Sequence, residues 1–382
     1  MSLLIKNIDS LHAVSADEWN HLAGTQFPFI QYEFLIALEN NGAVGKEFGW
    51  ITHFFLAYKK DELVGALPVY IKFNSYGEFV FDWAWADAYQ QNGLRYYPKL
   101  VTSIPYTPAT GPRLLINNED QYHVIADALI NAVLLFAEQS QVSSYHCLFT
   151  NKRDTEYFKH HPQFMMRLGC QFQWSNNHYT SFTHYLEQLT SKKRKQIKRE
   201  RRIVKEQDIE FEIVNGNQAT DEHWEVYHRF YESTFERKSG MATLSKEFFK
   251  EIARTMPENI VLVLAKYQND YVASAFNLKG TDTLYGRHWG CFEEFDNLHF
   301  EACYYQGLEY CINNGLKYFE PGAQGEHKIA RGFMPTKTWS AHWVAHPQFK
   351  QSIDHFLKHE TKGMLHYIDE LNEHSPFKKT DL

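Results

Sequence analysis

The sequence has few cysteines and no pair of them at metal-binding spacing. Its five cysteines are scattered over 382 residues, without a CxxC pair. An odd number of isolated thiols argues against a disulfide framework and a structural zinc site. The 20 histidines show no HExxH spacing, so the sequence predicts no metal site. Unpaired thiols are typical of the reducing cytoplasm, where we expect the protein to be found.

Long apolar runs are also missing. No stretch approaches the ~18 uninterrupted apolar residues of a membrane span. The stretch 1–19 lacks the apolar core of a signal peptide. Apolar residues make up 44% and aromatic residues 16% of the chain, which predicts a globular protein. Its length is enough for about two domains, each with its own core.

The same order of elements occurs twice along the chain. Residues 54–69 and 261–278 each contain two apolar runs around a polar turn, which is typical of a hairpin. Upstream of each, Ser15 and Thr220 open a helix candidate as plausible N-caps with acids behind them. A long helix and a strand follow each hairpin, at 122–138 and 144–149, and at 301–313 and 316–319. The pattern predicts two similar α/β halves, with chance similarity as the alternative.

One segment carries a strong positive charge in a chain whose net charge is −7. Residues 192–202 read KKRKQIKRERR, with eight basic residues and one acid. We predict a helix that Ser191 caps and that runs to about Gln207. Like charges on one helix repel unless a partner neutralises them, so the run indicates an anionic partner, with a solvated linker helix as the alternative. The candidate anion-binding residues are Lys192, Lys193, Arg194, Lys195 and Arg199.

The stretch 319–333, FEPGAQGEHKIARGF, concentrates polar groups after an apolar strand. Glu320, Glu326 or His327 could act as a base, the carboxylates through a pKa raised by burial. Lys328 and Arg331 are three residues apart, so they would share a helix face and could clamp a phosphate or carboxylate. Gln324 is a further candidate substrate contact. The alternatives are a solvated turn, a turn-capping His327, and a structural bridge between Glu320 and Arg331.

Two other regions carry candidate ligand contacts. The strand candidate 283–289 has Tyr285 and Arg287 on one face and His288 on the other by the period of two. In the first half, Trp85 belongs to an aromatic cluster that could hold a sugar or peptide, unless its rings serve the core. The flanking polar candidates are Asp82, Asp87 and, in the turn PYTPATGPR, Arg113.

The chain resembles the FemAB-like family, a peptidoglycan biosynthesis or recognition branch of the GNAT acyltransferase superfamily. The resemblance rests on 81–89, FDWAWADAY, on 105–113, PYTPATGPR, and on the basic run together with 320–333. It implies an α/β (α+β) chain of tandem GNAT-like domains, each a mixed, mostly antiparallel sheet flanked by helices. The implied domains are 1–180, a basic connecting helix at 181–207, and 208–382, where we expect the active cleft.

The resemblance also implies transfer of an acyl or aminoacyl group to an amine on a peptidoglycan-precursor-like or other polar acceptor with anionic groups. Glu320, His327 and Tyr285 are then the candidate catalytic residues. The donor would be an acyl-CoA or an aminoacyl-tRNA. A glycine-rich turn for the CoA pyrophosphate is not recognisable, because CFEEFDN occupies 291–297. The rival functions are a non-catalytic protein that binds a precursor through the same cleft and a tRNA-binding protein. Peripheral contact with a membrane surface is a further option for the basic helix.

Overall fold

The computed structural model describes residues 3–237, 240–292, 295–323 and 325–378. They form two compact units, and each unit is discontinuous in sequence. The first unit contains 1–170 and 337–366, and the second contains 171–336 and 367–382. Segment 337–366, which the sequence-based division assigns to the second domain, thus packs in the first unit.

The strands, in chain order, are β1 Leu4–Ile8, β2 Trp50–Thr52, β3 Phe54–Lys59, β4 Glu62–Leu67, β5 Tyr70–Lys72, β6 Lys99–Thr102, β7 Ser144–Cys147, β8 Met165–Ser175, β9 Ile209–Val214, β10 Ile260–Tyr267, β11 Asp270–Lys279, β12 Thr283–Cys291, β13 Tyr318–Glu320 and β14 Met334–Val344. The α-helices are α1 Ala16–Ala23, α2 Tyr32–Asn40, α3 Trp83–Gln91, α4 Tyr122–Gln139, α5 Lys152–His160, α6 Phe182–Gln188, α7 Ser191–Glu206, α8 Asp221–Arg237, α9 Lys246–Thr255, α10 Leu298–Phe300, α11 Gln306–Asn313 and α12 Pro347–Glu373. A π-helical turn, Glu301–Tyr305, joins α10 to α11, and the longest 3-10 helix of the described chain is Glu326–Arg331.

The first unit contains two sheets. In one, β1, β3 and β4 pair antiparallel, and in the other the order is β2-β5-β6-β7-β14. Within the second sheet β6 and β7 are parallel, and β14 pairs with β7, which brings the segment after 336 into this unit. Helix α4 buries Ile125, Leu129 and Val133 in the core. A Cβ at Gly65 would lie 2.5 Å from Ile125 Cγ2, so only glycine allows β4 and α4 to approach this closely.

The second unit repeats this arrangement with one sheet of order β8-β13-β12-β11-β10-β9. All its neighbouring strands are antiparallel except β12 and β13. Trp224, Tyr227 and Phe249 of α8 and α9 pack their rings against Phe276 of β11. A Cβ at Gly290 would lie 2.0 Å from a main-chain oxygen of α8, so this helix lies directly on β12.

The predicted fold class is confirmed. Both hairpins form, as β3–β4 and β10–β11, and in each unit a long helix connects the two parallel strands. Ser15 caps α1 in a reciprocal capping box with Glu18, as its position predicts. The prediction that Ser191 caps α7 is wrong. The N-cap is Thr190, and the Ser191 hydroxyl instead accepts a hydrogen bond from Arg194 at 3.3 Å.

Candidate functional site

The parallel strands β12 and β13 bring two predicted site residues together. Tyr285 pairs with Glu320, which is the last residue of β13. Beyond this pair β12 continues to Cys291, whereas the chain leaves β13 through Pro321. A Cβ at Gly286 would be 3.3 Å from Pro321 Cα, so the departing turn passes close to β12. The polar segment after β13 therefore begins beside Tyr285.

The 3-10 helix Glu326–Arg331 carries most of the predicted site residues. It starts after Gly325, whose φ of +106° favours glycine. Three residues per turn place Lys328 and Arg331 on one face, and both side chains are buried. His327 points elsewhere and is exposed. The predicted shared face of the two cations is thus present, but it faces the protein interior.

Lys328 holds the turn that precedes it. Its ammonium donates to the carbonyl oxygens of Gly322 at 2.8 Å and Ala323 at 3.2 Å. Burial lowers the pKa of Lys328 to about 8. Burial raises the pKa of Cys303, so this cysteine stays a thiol. Lys328 is therefore a buried amine that titrates close to physiological pH.

The π-helical turn faces the 3-10 helix. Tyr304 Oη and His327 Nε2 are 2.9 Å apart, and Arg331 Nε donates to Tyr305 Oη at 3.0 Å. Tyr305 in turn donates to Glu200 of α7. The extra residue of a π turn directs consecutive side chains to contacts that a regular helix would separate, and such turns often occur at functional sites.

His327 is suited to accept a proton. Partial desolvation of the imidazole lowers its pKa, although the side chain as a whole is exposed, and the positive charges of Arg331 and Lys328 add to the effect. The imidazole is therefore neutral at neutral pH. In the tautomer that donates from Nε2 to the Tyr304 oxygen, Nδ1 keeps its lone pair for an incoming proton.

Arg331 is bound inside the protein. Its Nη2 donates to both carboxylate oxygens of Glu200, at 2.9 and 3.0 Å, and its Nη1 donates to the His327 carbonyl at 2.8 Å. The guanidinium also stacks on Phe300, 3.5 Å from the ring centroid. The alternative of a bridge to Glu320 is wrong, because the ion-pair partner is Glu200. With its fork occupied, Arg331 gains no support from the geometry as a clamp for a ligand.

Arg287 and His288 lie near the same aromatic side chain, contrary to the predicted alternation. Phe276 pairs with His288, and the next residue of β11 pairs with Gly286, so Arg287 is an extra residue in β12. Such a bulge breaks the period of two. The ring of His288 is 4.9 Å from that of Tyr231, whose hydroxyl also lies near Arg287.

The surroundings of the bulge disfavour the charged forms of Arg287 and His288. Burial lowers the pKa of Arg287 to about 10, while Glu320 opposes the shift. Burial, and then the charge of Arg287, lower the pKa of His288 to about 3. His288 is therefore neutral and in contact with aromatic rings. Arg287 retains its charge at neutral pH beside Glu320.

The remaining candidates near β13 differ in exposure. Glu320 is half-buried and accepts a hydrogen bond from Gln173 at 3.3 Å. Glu326 is exposed and accepts one from the Tyr367 hydroxyl at 2.7 Å, so burial does not prepare it as a base. Gln324 lies outside the described residues. Of the two carboxylates, Glu320 is the one next to Arg287 and Tyr285.

The candidates of the first unit are mostly internal. Asp82 is buried, accepts a hydrogen bond from Tyr96 at 2.6 Å and forms an ion pair with Lys99. Burial alone would raise the pKa of Asp82, but Lys99 lowers it to about 2. Trp85 is buried with its ring 5.1 Å from His342. Asp87 is exposed. Asp82 and Trp85, which were predicted to contact a ligand, thus belong to the interior of the unit.

Arg113 is also a core residue. Its side chain is 2% exposed, and its guanidinium donates to the carbonyls of Leu148, Pro112 and Ala109 at 2.8, 3.1 and 2.7 Å. Its backbone N–H donates to Asp154 at 2.6 Å. These contacts fix the turn PYTPATGPR against the chain after β7. They favour a structural role over the predicted presentation to a ligand.

Helix α7 has a basic outer face and an acidic inner contact. Lys192, Lys195 and Arg199 are exposed, whereas Lys193 and Arg194 are partly buried. On the inner side Glu200 contacts Arg331, and the neighbouring Arg201 pairs with Glu301 and Glu309. The exposed cations remain candidates for an anionic partner.

Sequence reasoning missed the residues that organise this site. Glu200 had a signal, since it is the one acid of the basic run. Tyr304 and Tyr305 had none, because neither composition nor period reveals a π turn. In the first unit Lys99 was missed because its partners, Glu78 and Asp82, are distant from it in sequence.

Comparison with known families identifies the class of protein that this fold and site represent. A family model described as peptidoglycan biosynthesis/recognition, FemAB-like, matches residues 10–379. The chain therefore belongs to the FemAB-like family. A comparison with curated protein sequences found no match.

Solved structures share the fold at low sequence identity. FemX aligns with a TM-score of 0.55 and 10% identity, over 91% of this chain and 100% of FemX. L-PGS from Bacillus licheniformis aligns with a TM-score of 0.51 and 10% identity, over 84% of this chain and 95% of L-PGS. A conserved protein of unknown function from Bacteroides thetaiotaomicron VPI-5482 gives a TM-score of 0.51 and 9% identity, over 90% of this chain and 100% of that one.

The described residues contain neither a candidate membrane-spanning helix nor a candidate metal site. No helix among them combines the length and the hydropathy needed to cross a bilayer. No three or more of their histidine, cysteine, aspartate and glutamate side chains form a group that could hold a metal ion.

Proposed function

We propose that the protein transfers an acyl or aminoacyl group to an amine of a polar, peptidoglycan-precursor-like acceptor. The reacting groups would meet in the second unit, at the 3-10 helix after β13. The observation that carries the proposal is a neutral, exposed His327 next to the buried amine of Lys328, at the end of a parallel strand pair. Membership in the FemAB-like family and the FemX-like fold support a transferase of this kind.

The chemistry needs a base, a positioned acceptor and a route for the departing proton. The acceptor amine attacks the carbonyl carbon of the donor, forming a C–N bond while the C–O bond of an ester or the C–S bond of a thioester breaks. His327 Nδ1 takes the proton of the amine and returns it to the leaving oxygen or sulfur. Glu320 attracts the acceptor ammonium, which releases one proton to solvent before it attacks as the free amine. Lys328 positions the turn at Gly322 through its two carbonyl contacts.

The donor would be held through its phosphates by α7. The exposed face of this helix presents Lys192, Lys195 and Arg199, and an aminoacyl-tRNA and an acyl-CoA are both polyanions. The inner face of the same helix contacts the catalytic segment through the pair of Glu200 and Arg331. Binding of the donor and alignment of the 3-10 helix would thus involve a single helix.

The test is a transfer assay with the full chain. A UDP-linked muramyl pentapeptide is incubated with aminoacyl-tRNA or with acetyl-CoA, and the mass of the acceptor is measured. We expect a mass increase with one donor class, and a loss of about 100-fold or more in His327→Gln. The matched control is His355→Gln, an exposed histidine of α12, which should retain the wild-type rate. Equal turnover in both variants would exclude His327 as the base.

A second candidate is a protein that recognises the precursor without transferring anything. The observation that favours it is the internal engagement of Lys328 and Arg331, which leaves both cations occupied by the protein itself. Under this alternative the muramyl peptide would bind, as measured by calorimetry, while its mass stays unchanged with every donor. Binding that survives His327→Gln at full strength would fit the same alternative.

A further inference from the structure

Segment Phe73–Trp83 of the first unit exposes its aromatic side chains and buries its polar ones. It leads from β5 into α3. Tyr76 is 71% exposed and Trp83 is 52% exposed, whereas Glu78 and Asp82 are buried. The exposed large side chains are Phe73, Tyr76, Phe79, Phe81 and Trp83. This reverses the usual distribution of side chains. The rings of Phe81 and Trp83 are neighbours, with centroids 5.5 Å apart, and adjoining exposed apolar side chains mark an interaction site.

A buried cation maintains the reversed arrangement. Lys99 is fully buried, and its ammonium donates to Ser75 Oγ at 2.9 Å and to Glu78 Oε2 at 2.8 Å, besides its ion pair with Asp82. Lys72 donates to the carbonyl of Tyr76 at 3.0 Å. The polar side chains of the segment are thus held inside the unit, and the rings lie on its surface.

The backbone of the segment supports the same conclusion. Phe79 has a φ of +61°, which is unfavourable for a bulky side chain. Gly77 has a φ of +79°, and a Cβ there would lie 2.6 Å from the ring of Tyr106. Strain of this kind persists where the surrounding structure imposes it, often at functional sites. The outward position of Phe79 is therefore imposed by the fold.

We propose that this segment is a docking surface for an electrically neutral lipid bilayer. Both acids of the segment, Glu78 and Asp82, are buried, and Arg167, which donates to the Phe81 carbonyl, is neutralised by its ion pair with Glu360. The exposed face therefore has no unpaired charge. Such a face complements a zwitterionic headgroup layer, into which Trp and Tyr rings partition with their polar ends toward water. An anionic ligand or a charged protein partner would instead require cations or acids on this face. The proposal concerns binding alone and does not depend on the transfer chemistry.

The test measures binding of the full chain to vesicles of phosphatidylcholine by co-sedimentation, at low and high salt. The triple variant Tyr76→Ser, Phe81→Ser, Trp83→Ser removes three exposed rings. We expect the wild type to bind equally at both salt levels and the variant to bind at least about tenfold more weakly. The matched control is Val124→Gln with Leu135→Gln, two similarly exposed apolar residues of α4, which should bind like the wild type.

Four results would overturn the proposal. One is absence of wild-type binding to neutral vesicles, and another is equal binding of the triple variant. The third is binding that needs anionic lipid and disappears at high salt, which would assign it to the cations of α7. If the wild type instead self-associates in gel filtration and the triple variant does not, the occupant is a second copy of the chain. Because folding is checked by circular dichroism and no donor is present, failure here leaves the proposed transfer untouched.

Discussion

Each unit uses one buried cation to hold the chain that leaves its parallel strand pair, but the two cations differ in chemistry. In the first unit the guanidinium of Arg113 donates to three backbone carbonyls, one of them directly after β7. In the second unit the ammonium of Lys328 donates to two carbonyls just after β13. Both side chains are buried.

The difference separates a structural position from a reactive one. A guanidinium keeps its proton at any physiological pH, whereas an amine shifts its pKa readily when buried. Around Arg113 the backbone is also closed, since the N–H of Gly111 donates to the carbonyl of Phe149 and that of Asn151 to the carbonyl of Gly111. Around Lys328 the neighbours are a neutral imidazole and a thiol. Under the proposed function, Arg113 would stabilise the chain and Lys328 would serve the chemistry.

Replacing each of the two cations should give the largest difference in stability between the two positions. Arg113→Met leaves three buried carbonyls without their donor, so we expect it to lower the free energy of unfolding by about 3–5 kcal/mol. Lys328→Met removes two hydrogen bonds but also the cost of a buried charge, so its effect at neutral pH should stay within about 1 kcal/mol. Urea unfolding measures both.

The exposed Arg95 provides the control, since Arg95→Met should change the free energy of unfolding by less than about 0.5 kcal/mol. If Arg113→Met proves too unstable to purify, Arg113→Lys is measured instead. A cost for the Arg113 variant no larger than that for Lys328→Met would remove the distinction between the two positions.

Glu200→Gln tests the contribution of the ion pair between Glu200 and Arg331 in the second unit. The substitution leaves buried Arg331 without its counter-charge while keeping a hydrogen-bond acceptor, so we expect a loss of stability of about 1–3 kcal/mol and weaker transfer. Thermal unfolding and the transfer assay report the two effects. Glu206→Gln, at an exposed ion pair on the same helix, should leave both unchanged. Equal behaviour of the two variants would mean that the inner contact of α7 contributes nothing.

The pH dependence of stability gives the smallest expected effect. The pKa of Lys328 falls from 10.5 to about 8 in the folded protein. Between these values the unfolded chain binds a proton that the native protein does not, so stability rises with pH through this range. We expect the wild type to gain about 1–2 kcal/mol relative to Lys328→Met between about pH 7 and about pH 9.5. Urea titrations of both proteins at the two pH values measure this. A difference in the free energy of unfolding between wild type and Lys328→Met that is the same at both pH values would contradict the lowered pKa of Lys328.

Much of the fold could be predicted because its signals are local. The hairpins at β3–β4 and β10–β11 follow from apolar runs around polar turns, and the start of α1 follows from Ser15 and Glu18. The membership of β14 in the first unit could not be predicted. Strand pairing between residues such as Ala341 and Cys147 depends on contacts that are distant in sequence, and no local pattern records them.

The polar turn after β13 was predictable in its position and less so in its contacts. The glycines and charges around His327 indicate a polar turn at a strand end, which is where the structure has it. The partner of Arg331 was not predictable, because Glu200 reads as an acid on a solvated helix. The faces of β12 were mispredicted because the bulge at Arg287 shifts the register by one residue. Such a shift leaves no mark on composition.

The π turn has a consequence for the evolution of the two halves. The long helix between the parallel strands is a regular α-helix in the first unit, α4, and is interrupted at Glu301–Tyr305 in the second. An added residue rotates the part of the helix that precedes it by about 100° around the axis, relative to the part that follows. A single inserted codon could thus redirect Tyr304 and Tyr305 in one step while the following turns kept their packing. Deleting that codon would reverse all of these contacts together, an outcome that no substitution of a side chain can reproduce.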